Sequence, residues 1–423
     1  MDKEEKQLVK EIKNYKIPQD WHKCEMGKLF NFSGGLSFSR NNLSDVGFLY
    51  LHYGNIHTSR KNYINVKNEI NVLPKLNIPL NDVKKESLLK HGDVVFVDAS
   101  EDYEGTSKCV VIENTENIPF ISGLHTIVAK SKGEIMRNDY KKYCFENWDI
   151  KRQFAFFVTG ISVFGLNKAN IARVIIPVPP LPEQQKIAEI LSTCDKGIEL
   201  KEKLIEQKKL QKKYLMQALL NPNNPNFRRL PGFDKDWEEI KLGECFTERK
   251  ENDCTLRLLS ITSEKGVIDR MEIEHKDNSN EDKSKYKVIL KGDIGYNTMR
   301  MWQGVSGVSS LIGIVSPAYT VCKPKEEICP EFFGYLFKLQ NAINVFHRYS
   351  QGLVNDTLSL KYAPFAKLKF PIPKYEEQKT IANILSVVDK EIGLLEKELE
   401  QQKLKKKALM QLLLTGKVRV NVS

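Results

Sequence analysis

The sequence lacks the patterns that mark a membrane protein, a metal site or a disulfide framework. Nowhere in its 423 residues does an apolar run approach the roughly 18 residues that a transmembrane helix requires, and the N-terminal stretch MDKEEKQLVKEIKNYKIP has no apolar core of a signal peptide. The eight cysteines include no C-x-x-C pair. We therefore expect a soluble cytoplasmic protein without a metal site, whose cysteines are free and mostly buried.

Signatures of catalysis are missing as well. There is no G-x-x-x-x-G-K-[ST] loop for nucleotide phosphates, no H-E-x-x-H, and no Pro-Asp dipeptide to begin the commonest nuclease motif. The stretch NPNNPNF at Asn221 lacks the adjacent prolines and the aromatic of an adenine methyltransferase tetrapeptide, and we interpret it as a linker. His52 and His57, in HYGNIH, are interpreted as loop or core histidines rather than as metal ligands. We expect no catalytic residue.

Charge and length indicate a basic protein of several domains. Lys and Arg exceed Asp and Glu by 11, which suits a polyanionic partner such as DNA, RNA or an anionic membrane surface. A chain of this length exceeds what one core usually holds, so two or three domains are expected.

One segment of the chain occurs twice. Residues 177–220 and 371–414 match at about 26 of 44 positions, without a gap and at a constant offset of 194. Each copy begins with prolines and acidic residues, which favour the start of a helix, and continues with apolar residues at alternating steps of three and four. The spacing predicts two long helices, of about 38 residues and about 57 Å each, that pair as a coiled coil.

A fainter repeat precedes each helix. DWHKCEMGKLF, from Asp20, resembles DWEEIKLGECF, from Asp236, and Gly92-Asp93 in KHGDVVF corresponds to Gly292-Asp293 in LKGDIGY. The predicted organisation is an N-terminal segment (1–16), a globular domain (17–178), a helical spacer (179–222), a second globular domain (223–372, with a linker at 221–233) and a distal helical spacer (373–423). The β-rich and helical runs inside each globular domain predict an α/β or α+β fold, without a definite strand order.

The duplication suggests a pseudo-two-fold arrangement. Two matching helices that pair antiparallel would hold two different globular domains apart, and this suits a DNA target in two parts, because half-sites on one face of the duplex lie about 34 Å apart.

The same residues resemble a known family, the specificity subunits of Type I restriction-modification systems. The resemblance covers nearly the whole chain and rests on several motifs in this order: the two domain openings, the two Gly-Asp turns, the paired PVPPLPEQQKIAEILS and PIPKYEEQKTIANILS, and YNTMRMWQGVSGVSSLIGIVSPAYTV from Tyr296. It implies two target-recognition domains, each reading half of a bipartite double-stranded DNA site, and helices that set the spacer and bind two methyltransferase subunits.

The resemblance also implies where the chemistry takes place. The methyltransferase subunits are expected to methylate adenine with S-adenosylmethionine. The restriction subunits are expected to translocate and cleave DNA with ATP and Mg, in a bacterial or archaeal cell. We expect this chain to bind no cofactor. Two alternatives stay open: a coiled-coil adaptor that binds proteins rather than DNA, and the recognition half of a single-chain methyltransferase-nuclease.

Side chains that can pair with base edges or hold phosphates, in mixed polar loops, are the candidate DNA-binding residues. In the first globular domain these are Arg40, Asn41, Asn55, His57, Ser59, Arg60 and Lys61, and in the second Arg270, Asn297, Arg300 and Gln303.

The duplicated helices supply two further sets of candidates. For the helices that form the spacer and dock the methyltransferase subunits we predict the repeated residues Glu183, Gln184, Ile187, Leu191, Glu377, Gln378, Ile381 and Leu385. The helix lysines, Lys208, Lys209, Lys212, Lys213, Lys403, Lys405, Lys406 and Lys407, have two interpretations: a solvated helix face, or phosphate contact over the spacer DNA.

Overall fold

A computed structural model describes residues 16–38, 40–79, 83–101, 105–160, 163–272, 282–352 and 358–421. The chain divides into two compact units. Unit 1 combines residues 1–200 with residues 399–423, and unit 2 consists of residues 201–398. Each unit therefore contains one globular domain and a part of each long helix, rather than following the linear order of domains and spacers predicted above.

The elements are numbered in chain order. The helices α1 to α12 are Met26–Leu29, Tyr53–Thr58, Val66–Glu69, Asn138–Cys144, Trp148–Phe157, Lys168–Arg173, Leu181–Leu220, Leu242–Cys245, Pro330–Leu336, Gln340–Tyr349, Tyr362–Phe365 and Tyr375–Leu414. The strands β1 to β13 are His22–Glu25, Phe30–Gly34, Leu43–Ser44, Phe48–Leu51, Tyr63–Asn65, Lys75–Leu76, Val94–Val97, Ala99–Ser100, Cys109–Glu113, Phe120–Ser122, Thr126–Ser131, Phe164–Gly165 and Ile175–Val178. The strands β14 to β23 are Glu238–Lys241, Phe246–Glu248, Leu259–Thr262, Gly266–Asp269, Lys287–Ile289, Ile294–Asn297, Ser306–Val308, Gly313–Val315, Tyr319–Pro324 and Lys369–Ile372. Short 3-10 turns lie at Arg40–Asn42, Lys85–Ser87, Arg270–Glu272 and Met301–Gln303.

Unit 1 is built on a five-stranded sheet in the order β2-β11-β7-β9-β5 and a four-stranded sheet in the order β10-β4-β6-β3. The central strand β7, with the sequence VVFV, is buried on both faces, which is why it reads as an unbroken apolar run. Two strand pairs are parallel, β4 with β10 and β5 with β9, and the other pairs within these two sheets are antiparallel.

Unit 2 repeats part of this plan with different detail. Its largest sheet has the order β15-β22-β19-β20, and the β16-β17 and β18-β21 pairs lie outside that sheet. In both units the strand that opens the domain pairs antiparallel with the strand just before a long helix, β1 with β13 and β14 with β23. The mixed α/β character predicted for both globular domains is confirmed.

The long helices α7 and α12 have 40 residues each, close to the predicted length. Their antiparallel pairing is visible inside each unit. In unit 2, Lys201 pairs with Glu398 and Lys208 with Glu391, so partner numbers fall as residue numbers rise. In unit 1, Asp195 of α7 pairs with Lys406 of α12. Beyond the end of α12, Arg419 reaches Glu183 in the first turn of α7.

All eight cysteines are free, with four buried, three half-buried and Cys254 exposed. Among the described residues, no helix combines the length and apolar character that crossing a membrane requires.

Candidate nucleic-acid interface

The same hydrogen bonds flank strand β7 in unit 1 and strand β19 in unit 2. Both strands begin after the repeated Gly-Asp turn, where the Asp93 and Asp293 carboxylates accept backbone hydrogen bonds of 2.8 Å from Lys90 and Leu290. Both end at an equivalent bond to the loop before the neighbouring strand: the Asp98 amide donates to the His125 carbonyl at 3.2 Å, and the Thr298 amide to the Ala318 carbonyl at 3.0 Å. We call these places the reading ends of units 1 and 2.

In unit 1, helix α2 lies beside the reading end. A capping box starts this helix, since the His52 imidazole accepts from the Gly54 amide at 3.1 Å and the Asn55 side-chain oxygen accepts from the His52 amide at 3.1 Å. The centroid of the Tyr53 ring lies 5.9 Å from that of His57 and 5.5 Å from that of His125, edge to face in both cases. His57 is thus brought to the reading end, and Asn55 lies in the first turn of the same helix.

The other unit 1 candidates are placed differently. The Ser59 hydroxyl donates to the Lys61 carbonyl at 2.8 Å, and the Lys61 ammonium group pairs with Glu199 of α7 at 3.6 Å, so Lys61 is directed toward the helix. Arg60 is exposed. Asn41 is exposed in the separate 3-10 turn Arg40–Asn42, and the side chain of Arg40 lies outside the described residues.

In unit 2, three of the four candidates lie together at the reading end. Asn297 closes β19 and accepts from the Met299 amide at 3.0 Å, while Arg300 and Gln303 are exposed around the 3-10 turn Met301–Gln303. This turn is held by Trp302, whose ring donates to the Met299 carbonyl at 3.0 Å and lies 5.6 Å from His347. The fourth candidate, Arg270, belongs to the turn after the β16-β17 hairpin.

Unit 2 has one polar surface that was not predicted from the sequence. Helix α10 contains no acidic residue, and the side chains on one of its faces are all exposed: Gln340, Asn341, Asn344, His347 and Arg348. Their spacing of three and four residues was the available signal. Through His347 and Trp302 this face adjoins the reading end of unit 2.

The predicted docking residues require a correction. Their positions in the long helices are confirmed, but Glu183, Gln184, Ile187, Leu191, Glu377, Gln378, Ile381 and Leu385 are only 0–3% exposed. Side chains this deeply buried in their own units cannot form a surface for another subunit, so the prediction that they form a docking face is wrong.

These buried residues instead attach each helix to its globular domain, through contacts that recur in both units. The Gln184 side-chain oxygen accepts from the Arg137 amide at 2.9 Å, and that of Gln378 from the Cys329 amide at 2.9 Å. The Glu183 carboxylate accepts from the Trp21 ring at 2.8 Å and pairs with Arg419. The Glu377 carboxylate pairs with Arg229 at 3.0 Å.

A second repeated contact fixes the helix about three turns further along. The Tyr143 hydroxyl donates to Asp195 at 2.8 Å, and the Tyr335 hydroxyl to Asp389 at 2.8 Å. Burial, reinforced by the neighbouring carboxylate, raises the pKa of both phenols. A lysine of the other long helix completes each group, Lys406 at Asp195 and Lys212 at Asp389.

The helix lysines are therefore not all available to DNA. Lys208, Lys209 and Lys212 pair with Glu391, Glu396 and Asp389, and Lys406 pairs with Asp195. These four lysines are engaged in ion pairs, so they match neither of the two interpretations, a purely solvated helix face or free groups for DNA phosphates.

Four exposed leucines offer a different surface on the helices. Leu200 and Leu394 are 67% and 62% exposed, and Leu210 and Leu404 are 60% and 58% exposed. Each pair is separated by the repeat offset of 194, so the same apolar residue is exposed at the same position of both helices. Unit 1 contains Leu200 and Leu404, and unit 2 contains Leu210 and Leu394.

Comparison with known proteins agrees with this architecture. The family model of the Type I restriction modification DNA specificity domain matches residues 18–209 and 234–404. The putative type I restriction enzyme MjaX specificity subunit of Methanocaldococcus jannaschii is 24% identical, with 96% of this chain and 95% of the relative aligned. The MjaVIII specificity subunit of the same organism is 28% identical over 66% of this chain and 70% of the relative.

Solved structures show the same fold. The S subunit of the Type I restriction-modification system of M. genitalium aligns over 94% of this chain and 96% of its own, with a TM-score of 0.53 and 15% identity. A chain from a structure of the type I R-M system, solved for its complex assembly and conformational transition, aligns over 96% of this chain and all of its own, with a TM-score of 0.59 and 16% identity.

Two duplicated units on paired helices, each with its own polar reading end, define a two-part recognition protein. The chain belongs to the family of Type I restriction-modification DNA specificity subunits. Its function is that of a DNA sequence-specificity subunit, and an adaptor that does not bind DNA is not favoured. The family is in general non-catalytic and works in a complex with methyltransferase and restriction subunits.

Proposed function

We propose that each unit reads one half of a bipartite DNA target through its reading end. In unit 1 the readers are Asn55 and His57, with Asn41 and Arg60 as further candidates at the surface. In unit 2 they are Asn297, Arg300 and Gln303, with Arg270 and the polar face of α10 beside them. Amide and guanidinium groups present paired hydrogen bonds to adenine and guanine, which is the chemistry that base recognition needs.

One observation carries this proposal: an equivalent scaffold ends in different chemistry in the two units. The Gly-Asp turns, the bonds that close the reading ends and the tyrosine-aspartate contacts recur at nearly the same distances. The side chains at the reading ends do not recur: Tyr53, His57 and His125 lie at one, and Asn297, Arg300 and Gln303 lie at the other. A constant frame with variable ends suits a protein that reads two different half-sites.

In this proposal the long helices set the length of the unread spacer between the half-sites. A 40-residue helix is about 60 Å long. The buried Glu-Gln starts and the ion pairs at Asp195 and Asp389 fix each helix to its unit, so the unread spacer between half-sites has a set length.

Two methyltransferase subunits dock on the helices at the repeated exposed leucines, not at the buried residues predicted from sequence. A single exposed leucine needs no explanation. Here two leucines of each long helix are exposed, and both recur in the other helix, so each unit offers an equivalent apolar surface. Methylation with S-adenosylmethionine, and cleavage with ATP and Mg, take place in the partner subunits, and this chain supplies the DNA address.

The docking surface is tested by pulling down the methyltransferase subunits with the full chain. The variant with Leu200→Ser and Leu404→Ser removes the surface of unit 1, and we expect it to retain one methyltransferase where the wild type retains two. Lys196→Ser with Glu400→Ser, which changes one exposed residue of each long helix inside unit 1, is the control. Unchanged stoichiometry in the leucine variant would remove this part of the proposal.

DNA reading is tested at the reading end of unit 2. We expect Arg300→Ala with Gln303→Ala to relax one half of the methylated motif by on the order of tenfold at one or two base pairs, and to leave the other half unchanged. The measurement is methylome sequencing of cells that carry this chain and its methyltransferase. Relaxation of both halves, or of neither, would contradict the assignment.

A further inference from the structure

A braced loop presents two exposed side chains at the reading end of unit 1. The loop between β10 and β11 is held by the Ser122 and Thr126 hydroxyls, 2.6 Å apart, and by the Gly123 amide, which donates to the Leu51 carbonyl at 2.9 Å. Ser122 and Thr126 are buried, whereas Leu124 is 47% exposed and the His125 side chain 48% exposed. The loop therefore holds Leu124 and His125 at the surface on a rigid base.

His125 is kept in an uncommon backbone conformation. Its φ angle of +58° lies in the left-handed region, which costs a residue with a side chain on the order of 1 kcal/mol. Strain of this kind persists where the surroundings enforce it, and it is concentrated at sites that bind ligands. The bracing of Ser122, Gly123 and Thr126 is the structural reason that His125 can keep it.

A half-buried carboxylate faces the imidazole. The Asp98 Oδ1 atom lies 3.6 Å from His125 Nδ1, and among the described residues this buried oxygen has no hydrogen-bond partner. Burial raises the pKa of the Asp98 carboxyl group. In the neutral ring that has its proton on Nδ1, this N–H faces the Asp98 carboxylate, and Nε2, on the other side of the ring, is an acceptor.

The surroundings connect His125 to the predicted readers. The Tyr53 ring contacts both His125 and His57, so these three rings form one cluster at the reading end. At the equivalent place in unit 2 the closing hydrogen bond is conserved, but it joins Thr298 and Ala318, which carry neither an imidazole nor a carboxylate. The pair is a feature of unit 1 alone, as a residue that reads only one half-site must be.

We propose that His125 is a specificity-determining residue of unit 1, whose Nε2 accepts a hydrogen bond from the exocyclic amine of an adenine or a cytosine in the half-site, with Asp98 as its positioning residue. The exposed Leu124 packs against the neighbouring base or sugar. This inference rests on the proposed DNA reading and goes beyond it, because it names a base edge and a ring nitrogen.

The first test removes the side chain without opposing the backbone. Glycine tolerates a φ angle of +58°, so His125→Gly is expected to fold at least as well as the wild type. The full chain with its methyltransferase subunits is assayed on a duplex library randomised in both half-sites. We expect discrimination at one base pair of the unit 1 half-site to fall by on the order of tenfold, with the unit 2 half-site unchanged. His91→Ala, an exposed histidine of the same unit, is the control.

The second test separates positioning from simple structural support. In Asp98→Asn the amide donates to Nδ1, the proton moves to Nε2, and the ring becomes a donor. We expect the preference at that base pair to change toward guanine O6 or thymine O4 rather than to disappear, at an unchanged melting temperature. Loss of discrimination without a new preference would remove the role given to Asp98.

The outcomes distinguish this inference from the proposed function. If the wild-type complex selects a sequence and His125→Gly selects the same one equally sharply, His125 is not a reader and the inference fails alone. If the wild-type complex selects no sequence, the proposed function fails.

Discussion

At the scale of single residues, Glu183 and Glu377 show how buried charge is managed in this chain. Each carboxylate is almost inaccessible to solvent, and each pairs with an arginine from the segment that follows the other long helix, Arg419 in unit 1 and Arg229 in unit 2. A buried carboxylate that loses its partner keeps its desolvation penalty, so these arginines matter more than ordinary surface charges.

The first prediction concerns Arg419. Arg419→Ala leaves the Glu183 carboxylate with the Trp21 ring as its remaining hydrogen-bond donor among those described, and we expect a loss of about 1–3 kcal/mol in the free energy of unfolding. Urea denaturation measures the loss. Arg228→Ala removes an exposed side chain whose one hydrogen bond among the described residues is to the adjacent Phe227 carbonyl, and it should cost less than about 0.5 kcal/mol. Equal effects of the two substitutions would contradict this role of Arg419.

Lys338 predicts how the stability of unit 2 depends on pH. Its half-buried ammonium group donates to the Ser263 and Gly304 carbonyls, at 3.1 and 2.7 Å, while burial and the charge of Lys212 lower its pKa to about 8. Between pH 8 and the ordinary lysine pKa of about 10.5, Lys338 is protonated in the unfolded chain but mostly deprotonated in the folded one. The cost of burying the charged group therefore lowers the stability fully below pH 8, and this cost disappears as the pH rises through 10.5.

We therefore expect the wild type to gain stability relative to Lys338→Met as the pH is raised from 7.5 to about 10.5. Denaturation curves of both proteins across this range measure the difference, and Lys367→Met, at an exposed lysine of the same unit, controls for the loss of an ammonium group. A difference between wild type and Lys338→Met that stays constant with pH would show that the penalty is absent.

At the scale of elements, lysines that interrupt the apolar stripe of α7 join the two helices. Lys201, Lys208 and Lys212 occupy positions where the spacing calls for apolar residues, and each pairs with a carboxylate of α12 inside unit 2. Because these groups lie on different helices, the pairs are satisfied in one antiparallel register only.

The Lys208–Glu391 pair tests this role. We expect Lys208→Glu and Glu391→Lys each to destabilise unit 2, and the double variant to recover most of the loss, with a coupling free energy of about 0.5–1 kcal/mol. Thermal or urea unfolding of the four proteins of this cycle gives the coupling. If the two losses simply add, the pair does not fix the register.

The elements also show what the sequence could and could not predict. The long helices were predicted to within a few residues, because duplication, flanking prolines and a regular apolar stripe all indicate the same boundaries. The strand order was not predicted, since parallel pairs such as β4 with β10 join segments some 70 residues apart and leave no local pattern. Repetition shows that Glu183-Gln184 is constrained, but not whether it is buried or exposed, and this is why the docking prediction failed.

The candidate DNA-reading residues show the same difference between what local sequence patterns predict and what only the fold brings together. Residues close together in sequence, such as Asn297, Arg300 and Gln303, can be predicted together from their polar loop. His125 and Asp98 were missed because 27 positions separate them and only the pairing of β7 with β11 brings them together. The partner of Lys61, Glu199, is similarly remote in sequence.

At the scale of the whole molecule, the chain consists of two units with one scaffold and two reading ends. The duplicated contacts at Gln184 and Gln378, and at Asp195 and Asp389, explain why the helices resemble each other so closely while the domains differ. Each helix copy must fit the same attachment to its domain, whereas a reading end has to fit only its own half-site.

The most direct measurement of this account is the methylome of cells in which residues 17–176 are replaced by those of a relative with another target. The donor should carry a tyrosine equivalent to Tyr143, so that the contact with Asp195 is kept. We predict a methylated motif in which one half changes to that of the donor, while the other half and the spacer length stay the same. A motif in which both halves change, or neither does, would contradict the claim that each unit reads its own half-site.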